Sequence, residues 1–405
     1  MIAAAFLAAA LLAPTGRYPI GRVSFTWSDP HRSEVYAKTP EPRTLRVHLF
    51  YPARDVAKAK QAPYVPDFDT IRKYAEEHFG KGYLREDFGS SYEALVTMIG
   101  DAYDAPKAAG SREKFPVVVF SHGGGIQVLY YSTLIEDLTS HGYVVAAVEH
   151  PYDMDMVVLP GGRVIEQEGW DDSKRTPAER AAFHRQRHEV NARDNSFVLD
   201  QLARVDSGSI ASPLKGRLDL RRVAAAGHSL GGMSSVFSCA LDPRFAACVN
   251  LDGGLDKGEL YPPVTRQPIL GIFGGPSPIQ LPIESDELFA KRKTRNFLEG
   301  AGHKDLIAQY AQVASPGALV YITSPGFSHF SYYDLVRPEA EQWGATPERH
   351  QRNLTLIRKT VLTFLDAALK RRVDPIAAVR KIDGPLTIIP IGSSGSAAAT
   401  DAQRR

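Results

Sequence analysis

The segment that most constrains the fold is residues 223–233, which read Val-Ala-Ala-Ala-Gly-His-Ser-Leu-Gly-Gly-Met. Small apolar residues run directly into a Gly-x-Ser-x-Gly pattern, an order that predicts a strand, a tight turn and a helix. Such a turn holds Ser229 in a strained conformation with its hydroxyl exposed above a sheet. The flanking glycines are needed because a side chain there would clash. The pattern indicates a serine nucleophile, and the alternative is a glycine-rich turn without chemistry.

Short apolar runs recur along the chain and predict further strands. From residue 116 onward, helix-like stretches at 130–141 and 178–204 separate these runs. Apolar strands that alternate with helices predict an α/β fold with a mostly parallel sheet covered on both faces. The chain has 405 residues, 43% of them hydrophobic, which is ample for such a core. The predicted strands are 22–26, 45–51, 116–121, 143–149, 222–226, 246–251, 268–273 and 318–323.

Residues 14–391 are therefore expected to form a single domain, with two segments that depart from the pattern. Residues 52–114 are polar and aromatic and look like a cap-like insertion, in which Ile71, Tyr74, Ala75 and Phe79 share one helical face. That face predicts a cap helix packed on the body, and the alternative is a lid or a transient lipid contact. The last stretch, residues 392–405, is rich in Gly, Ser and Ala and predicts a disordered tail.

Residues 1–13 are nearly all apolar and are too short for an ordinary membrane-spanning helix. They are typical of the core of a secretory signal, with Ala8-x-Ala10 as the cleavage site, although the usual positive start is missing. We therefore expect a secreted or periplasmic protein; the alternative is a cytoplasmic protein with a buried N-terminal segment. Cys239 and Cys248 lie in apolar surroundings and are expected to be buried thiols.

A serine nucleophile needs a base, an orienting acid and donors for the oxyanion, and in an open parallel sheet these gather at the carboxyl ends of strands. Asp252 directly follows the strand after the serine helix, whereas the next strand has no carboxylate until Glu284. His329 follows the last predicted parallel strand. The order Ser229, Asp252, His329 matches that of α/β-hydrolases. The alternatives are a turn role for Asp252 and a backbone-bonded loop role for His329.

The oxyanion donors are predicted from a second glycine-rich loop, His122-Gly-Gly-Gly125, which follows the strand at 116–121. Its backbone N–H groups, together with the amide of Leu230 after the nucleophile, would face the developing negative charge. His122 and His150 are predicted to line the pocket, and for His150 the alternative is a structural hydrogen bond.

The chain is expected to need no cofactor and no metal. His184 and His188 have zinc-like spacing but sit among arginines with no third ligand nearby, which favours a solvated helix face. The net charge of +2 gives no reason to expect nucleic acid as a partner, and no obligate protein partner is evident.

These motifs resemble the plasma-type platelet-activating-factor acetylhydrolase family. The resemblance rests on residues 14–21, on 115–125 around the glycine loop, on 138–150 and on the elbow at 227–232. Carried over, it implies Ser229 as nucleophile, Asp252 as acid, His329 as base, and Gly124 and Leu230 as oxyanion amides. The chain departs from the family at Gly124, where a bulkier apolar residue is common, and in an apparent extra helix within 284–314.

The resemblance implies hydrolysis of short or oxidised sn-2 acyl groups on phospholipids such as platelet-activating factor. The alternatives on the same scaffold are a general carboxylesterase, a lipase or a cutinase-like polyester hydrolase. A further alternative is a non-catalytic binding protein of α/β-hydrolase fold, which is disfavoured because such proteins usually lack a member of the triad.

Overall fold

The computed structural model describes residues 11–110, 113–168, 175–254, 264–274, 303–313, 316–324, 327–336, 338–341 and 344–392. Within these ranges the strands are β1 (Ile20–Ser33), β2 (Pro42–Pro52), β3 (Gln61–Pro63), β4 (Ile99–Asp104), β5 (Phe115–Ser121), β6 (Val144–Glu149), β7 (Met156–Val158), β8 (Val164–Glu166), β9 (Leu218–His228), β10 (Phe245–Leu251), β11 (Ile269–Gly274), β12 (Gly317–Ile322) and β13 (Leu386–Ile391). The α-helices are α1 (Phe68–His78), α2 (Tyr83–Phe88), α3 (Tyr92–Thr97), α4 (Ser132–Ser140), α5 (Pro177–Ser207), α6 (Leu230–Leu241), α7 (His303–Val313), α8 (Pro338–Glu341), α9 (Pro347–Leu365) and α10 (Pro375–Val379).

Eleven of the described strands form one sheet in the order β13-β12-β11-β10-β9-β5-β6-β2-β1-β4-β3. The run from β12 to β6 is parallel throughout, while β2 and β13 pair antiparallel on its two sides. The predicted α/β fold with a mostly parallel sheet is confirmed. Because β5, β9, β10 and β12 run the same way, the loops that follow them meet at one edge of the sheet.

Side chains that alternate along the central strands enter two separate cores. In β5, Val118 and Phe120 face one core while Val117 and Val119 face the other. Helices α4 and α9 cover the first face, and α5 and α6 cover the second. Every residue of β5 is therefore buried, which explains why this strand reads as a continuous apolar run and not as an alternating one.

The insertion at 52–114 contains α1, α2 and α3 and also contributes β3 and β4 to one end of the large sheet. Along the predicted face of α1, Ile71 and Ala75 are buried, whereas Phe79, just past its end, is 44% exposed. The segment is thus anchored by backbone pairing as well as by packing. Strands β3, β7, β8 and β13 were not predicted, because three-residue strands and edge strands leave little periodicity in the sequence. The six-residue β4 was not predicted either, because it lies within the polar segment 52–114.

Cys239 at the end of α6 and Cys248 in β10 form a disulfide, so the expectation of buried thiols is wrong. The helix packs back on the next strand and brings the two Cα atoms to 6.4 Å, a separation that a disulfide spans.

Three other expectations fall largely on undescribed parts of the chain. Of the predicted extra helix at 284–314, α7 is described, while 284–302 and 314 lie outside the described residues. Residues 393–405 of the predicted tail and 1–10 of the predicted secretory signal also lie outside them. None of the helices in the described part of the chain combines the length and the apolar character needed to span a bilayer.

Candidate active site

Ser229 occupies the turn between β9 and α6, in a backbone conformation that residues with side chains rarely adopt. Its φ is 53° and its ψ is −116°. The turn is fixed from both sides, because the Ser229 N–H donates to the carbonyl of Leu251 at 2.8 Å and its carbonyl accepts from the Met233 N–H at 3.1 Å. Strain of about 1–3 kcal/mol is typical of such a residue, and the surrounding hydrogen bonds hold it in place.

The neighbouring glycines are required by space. A Cβ on Gly231 would lie 2.3 Å from the carbonyl oxygen of Ser121, and one on Gly227 would lie 2.4 Å from the backbone of Gly231. Both contacts are with backbone atoms that cannot swing away. Only glycine therefore allows β9, the start of α6 and the loop after β5 to approach this closely.

His329 lies between Ser229 and Asp252 and is bonded to both. Its Nε2 is 3.1 Å from Ser229 Oγ, and its Nδ1 is 2.8 Å from Asp252 Oδ2. The side chain of Asp252 is 5% exposed, whereas that of His329 is 19% exposed and open to the surface. The structure thus brings together the three residues predicted as nucleophile, acid and base. In this arrangement an imidazole can take the serine proton while the carboxylate holds the ring.

Asp252 is positioned by a strand end and His329 by a short turn beyond β12. Asp252 directly follows β10, has a φ of 55°, and its N–H donates to the carbonyl of Ile272 in β11 at 2.8 Å. His329 begins a short 3₁₀ turn, whose first N–H groups are capped by the side chain of Ser328. Glu284, the first carboxylate after the next strand, lies outside the described residues.

The two amides predicted as oxyanion donors, those of Leu230 and Gly124, have no protein acceptor among the described residues. Leu230 is the first residue of α6, so its N–H has no acceptor within the helix. In the part of the chain that the structure describes, neither the Leu230 N–H nor the Gly124 N–H donates to a protein acceptor. The Gly123 N–H, in contrast, donates to the hydroxyl of Tyr131 at 3.1 Å. Free amides are thus found at the predicted positions.

His122 and His150 lie beneath the site and do not line an open pocket, since they are 1% and 0% exposed. His122 Nδ1–H donates to the carbonyl of Gly123 at 2.7 Å, and its Nε2 accepts from the His150 N–H. Burial, with His150 nearby, lowers the pKa of His122 to about 3, so the ring is neutral. The His150 ring contacts Asp194 at 2.9 Å and Ser121 at 3.0 Å. His150 thus makes the structural hydrogen bonds that were its alternative, and the buried His122 is hydrogen-bonded in a similar way.

His184 and His188 lie on α5 and are buried, not solvated, which corrects the expected exposed face. His188 stacks on Phe237 of α6, with ring centroids 5.4 Å apart. Among the described residues, no group of three or more His, Cys, Asp or Glu side chains could hold a metal ion.

Most of the chain matches one known protein family. The family model described as "Platelet-activating factor acetylhydrolase, isoform II" matches residues 9–275, about two thirds of the chain. The chain belongs to this family. The matched region includes the elbow and Asp252 but ends before His329. The assignment of His329 as the base therefore rests on its two hydrogen bonds, to Ser229 and to Asp252.

Relatives and solved structures agree with the family and the fold. A probable 1-alkyl-2-acetylglycerophosphocholine esterase of Arthroderma benhamiae is 26% identical over 60% of this chain and 58% of its own length. The platelet-activating factor acetylhydrolase of Cavia porcellus is 27% identical over 51% of this chain and 49% of its own length. The chain thus spans about half the length of these relatives. A ferulic acid esterase from Streptomyces cinnamoneus shares the fold, with a TM-score of 0.65 and 24% identity over 94% of this chain and 99% of that one.

Proposed function

We propose that the chain is a serine ester hydrolase that cleaves short or oxidised sn-2 acyl groups from phospholipids. The observation that carries the proposal is the pair of hydrogen bonds made by His329, to Ser229 at 3.1 Å and to Asp252 at 2.8 Å. Membership of the acetylhydrolase family and the printed names of two relatives support the substrate class.

In the proposed reaction Ser229 Oγ attacks the ester carbonyl carbon while His329 Nε2 takes the hydroxyl proton. Asp252 stabilises the imidazolium, and the amides of Gly124 and Leu230 bind the oxygen that becomes negative. The tetrahedral intermediate collapses and expels the alcohol, which receives the proton from His329. Water then attacks the acyl-enzyme with His329 again acting as base, and this step releases the acid and restores Ser229.

The substrate class is tested with a matched set of esters. The kcat/KM is measured for glycerophosphocholines with sn-2 acyl chains from acetyl to palmitoyl, below their aggregation concentrations, and for simple alcohol esters of the same acids. One misplaced methylene changes a barrier by about 1–3 kcal/mol, so neighbouring chain lengths differ modestly while long chains are rejected cumulatively. We expect kcat/KM for the phospholipid acetate to exceed that for the acetate of a simple alcohol. Equal values would indicate a general carboxylesterase, and a steady rise to palmitoyl would indicate a lipase.

We also propose transient contact with lipid surfaces through the insertion at 52–114. Large apolar side chains remain exposed there, with Phe79 at 44%, Val96 at 45% and Ile99 at 59%. Replacing Phe79 by Ser is expected to weaken binding to phosphatidylcholine vesicles in a flotation assay without changing hydrolysis of a monomeric ester. Unchanged flotation of a variant with all three sites made polar would contradict this contact.

We further propose that the protein is exported, which fits the apolar residues 1–13 and the disulfide of Cys239 with Cys248. Cleavage after Ala10 would spare Leu11 and Leu12, which pack against the core, and would keep the hydrogen bond from Arg358 to the Leu12 carbonyl. N-terminal sequencing of the protein from its native host is expected to begin at Leu11 in an extracytoplasmic fraction. An intact Met1 in the cytoplasm would contradict export.

A further inference from the structure

His228, the residue immediately before Ser229, is 0% exposed and has a partner for each ring nitrogen. Its Nε2 is 3.0 Å from the carbonyl oxygen of His329, and its Nδ1 is 2.8 Å from the hydroxyl of Tyr131. A carbonyl only accepts, so Nε2 carries the hydrogen. Burial and the nearby His329 hold the pKa of His228 well below its ordinary value, so the ring is neutral and Nδ1 is an acceptor. The Tyr131 hydroxyl must therefore donate to it.

Tyr131 continues this chain to the oxyanion loop. Its oxygen accepts from the Gly123 N–H at 3.1 Å, and the residue is fully buried, which keeps its hydroxyl protonated by raising its pKa. An unbroken series of hydrogen bonds thus runs from the Gly123 N–H through Tyr131 and His228 to the backbone of His329. The Tyr131 hydroxyl is also in hydrogen-bond contact with the side chain of Tyr333.

Gly123 is held on both sides by this arrangement. Its carbonyl accepts from His122, and its N–H donates to Tyr131. A Cβ at this position would lie 3.0 Å from His228 Nδ1 and 3.1 Å from the Tyr131 hydroxyl, so glycine allows the close approach. The Gly123 carbonyl and the Gly124 N–H belong to one planar peptide group. Fixing Gly123 therefore also fixes the direction of the Gly124 N–H.

We propose that Tyr131 and His228 are positioning residues that set the oxyanion loop and the base His329 in register with each other. Neither side chain touches the reacting atoms, and the inference rests on the proposed ester hydrolysis. The triad and the oxyanion amides act on one carbonyl from different strands, so their relative placement decides the rate. A displacement of 1 Å costs on the order of 100-fold in turnover.

The test compares Tyr131→Phe, His228→Gln and His228→Leu with wild type on a short-chain ester. Tyr131→Phe keeps the ring and removes the hydroxyl that links Gly123 to His228 and that also contacts Tyr333. The glutamine amide offers an N–H donor group and an oxygen acceptor, much as the neutral imidazole offers a donor and an acceptor nitrogen, whereas leucine offers neither. The matched control is Tyr143→Phe, which removes a buried hydroxyl that donates to Asp366 at 2.8 Å, away from the site.

We expect Tyr131→Phe and His228→Leu to lower kcat by roughly 10- to 100-fold, with KM changed less than threefold. We expect His228→Gln to recover, on a logarithmic scale, at least half of the kcat that His228→Leu loses. A trifluoromethyl ketone, which forms an oxyanion adduct with the serine, should bind these variants more weakly by the same factor as the loss in kcat/KM. Affinity for a non-reactive ether analogue should stay unchanged.

Three results would overturn the inference. The first is a folded Tyr131→Phe variant whose kcat equals that of Tyr143→Phe. The second is an equal loss of affinity for the ether and the ketone. The third is a kcat of His228→Gln no higher than that of His228→Leu. Ser229→Ala in the same series separates this inference from the proposed function, because full turnover in that variant would refute the serine mechanism itself. If His228→Leu does not fold, Tyr131→Phe and His228→Gln still decide the question.

Discussion

Replacement of Asp252 by Asn tests the electrostatic part of the site with almost no change in shape. The Asp252 side chain is 5% exposed, and its Oδ2 lies 2.8 Å from His329 Nδ1. An asparagine amide in this place donates to Nδ1 and so favours the tautomer with hydrogen on Nε2. That ring cannot accept the Ser229 proton. The corresponding change in a serine protease lowers kcat about 10⁴-fold, and at about 1.36 kcal/mol per tenfold this is about 5 kcal/mol of barrier.

The assay is steady-state hydrolysis of a short-chain p-nitrophenyl ester, with thermal unfolding measured in parallel. Glu136→Gln is the matched control, because Glu136 is a buried carboxyl outside the site whose pKa is raised to about 8 by burial. It is mostly neutral at pH 7, so its amide analogue is expected to keep wild-type turnover. A folded Asp252→Asn variant with more than a tenth of the wild-type kcat would refute the acid assignment.

Three further outcomes are expected. Gly231→Ala should lower the melting temperature markedly and abolish turnover, because its Cβ would lie 2.3 Å from the Ser121 carbonyl; wild-type melting would contradict the packing of the elbow. The free energy of unfolding should fall as pH rises from about 5 to 8. Folding raises the pKa of Glu136 to about 8 and that of Asp334 to about 7. Each group therefore stabilises the folded state while it is protonated, and this stability is lost as the group ionises. Glu136→Gln should flatten this dependence in denaturant titrations, and an unchanged slope would show that Glu136 ionises normally. Turnover should survive prolonged EDTA treatment. A loss of turnover that added zinc reverses would instead indicate a metal site, for which His184 and His188 are the candidates.

The central sheet and the placement of the triad could be predicted from sequence because each depends on local pattern. Buried parallel strands read as short apolar runs, and the elbow at Ser229 needs glycines at fixed positions. The rule that functional groups follow strand ends then selected Asp252 and His329 from many acids and 12 histidines.

Features that depend on long-range packing could not be predicted in this way. The disulfide of Cys239 and Cys248 forms because α6 folds back on β10, which no residue spacing reveals. Tyr131 lies 97 positions from His228, which it contacts. No sequence motif assigns a role to either side chain. The available signal was that His228 stands between the elbow glycine Gly227 and the nucleophile Ser229.

The most direct test of the proposed serine mechanism is the identity of the residue that carries the acyl group. A fluorophosphonate probe, followed by peptide mass spectrometry, is predicted to give one adduct on Ser229. Ser229→Ala should lose both the adduct and turnover, by about 10⁶-fold in kcat, as for triad knockouts elsewhere. Ser207→Ala, an exposed serine at the end of α5, serves as the control and should keep both. An adduct on another residue together with undiminished turnover in Ser229→Ala would contradict the account.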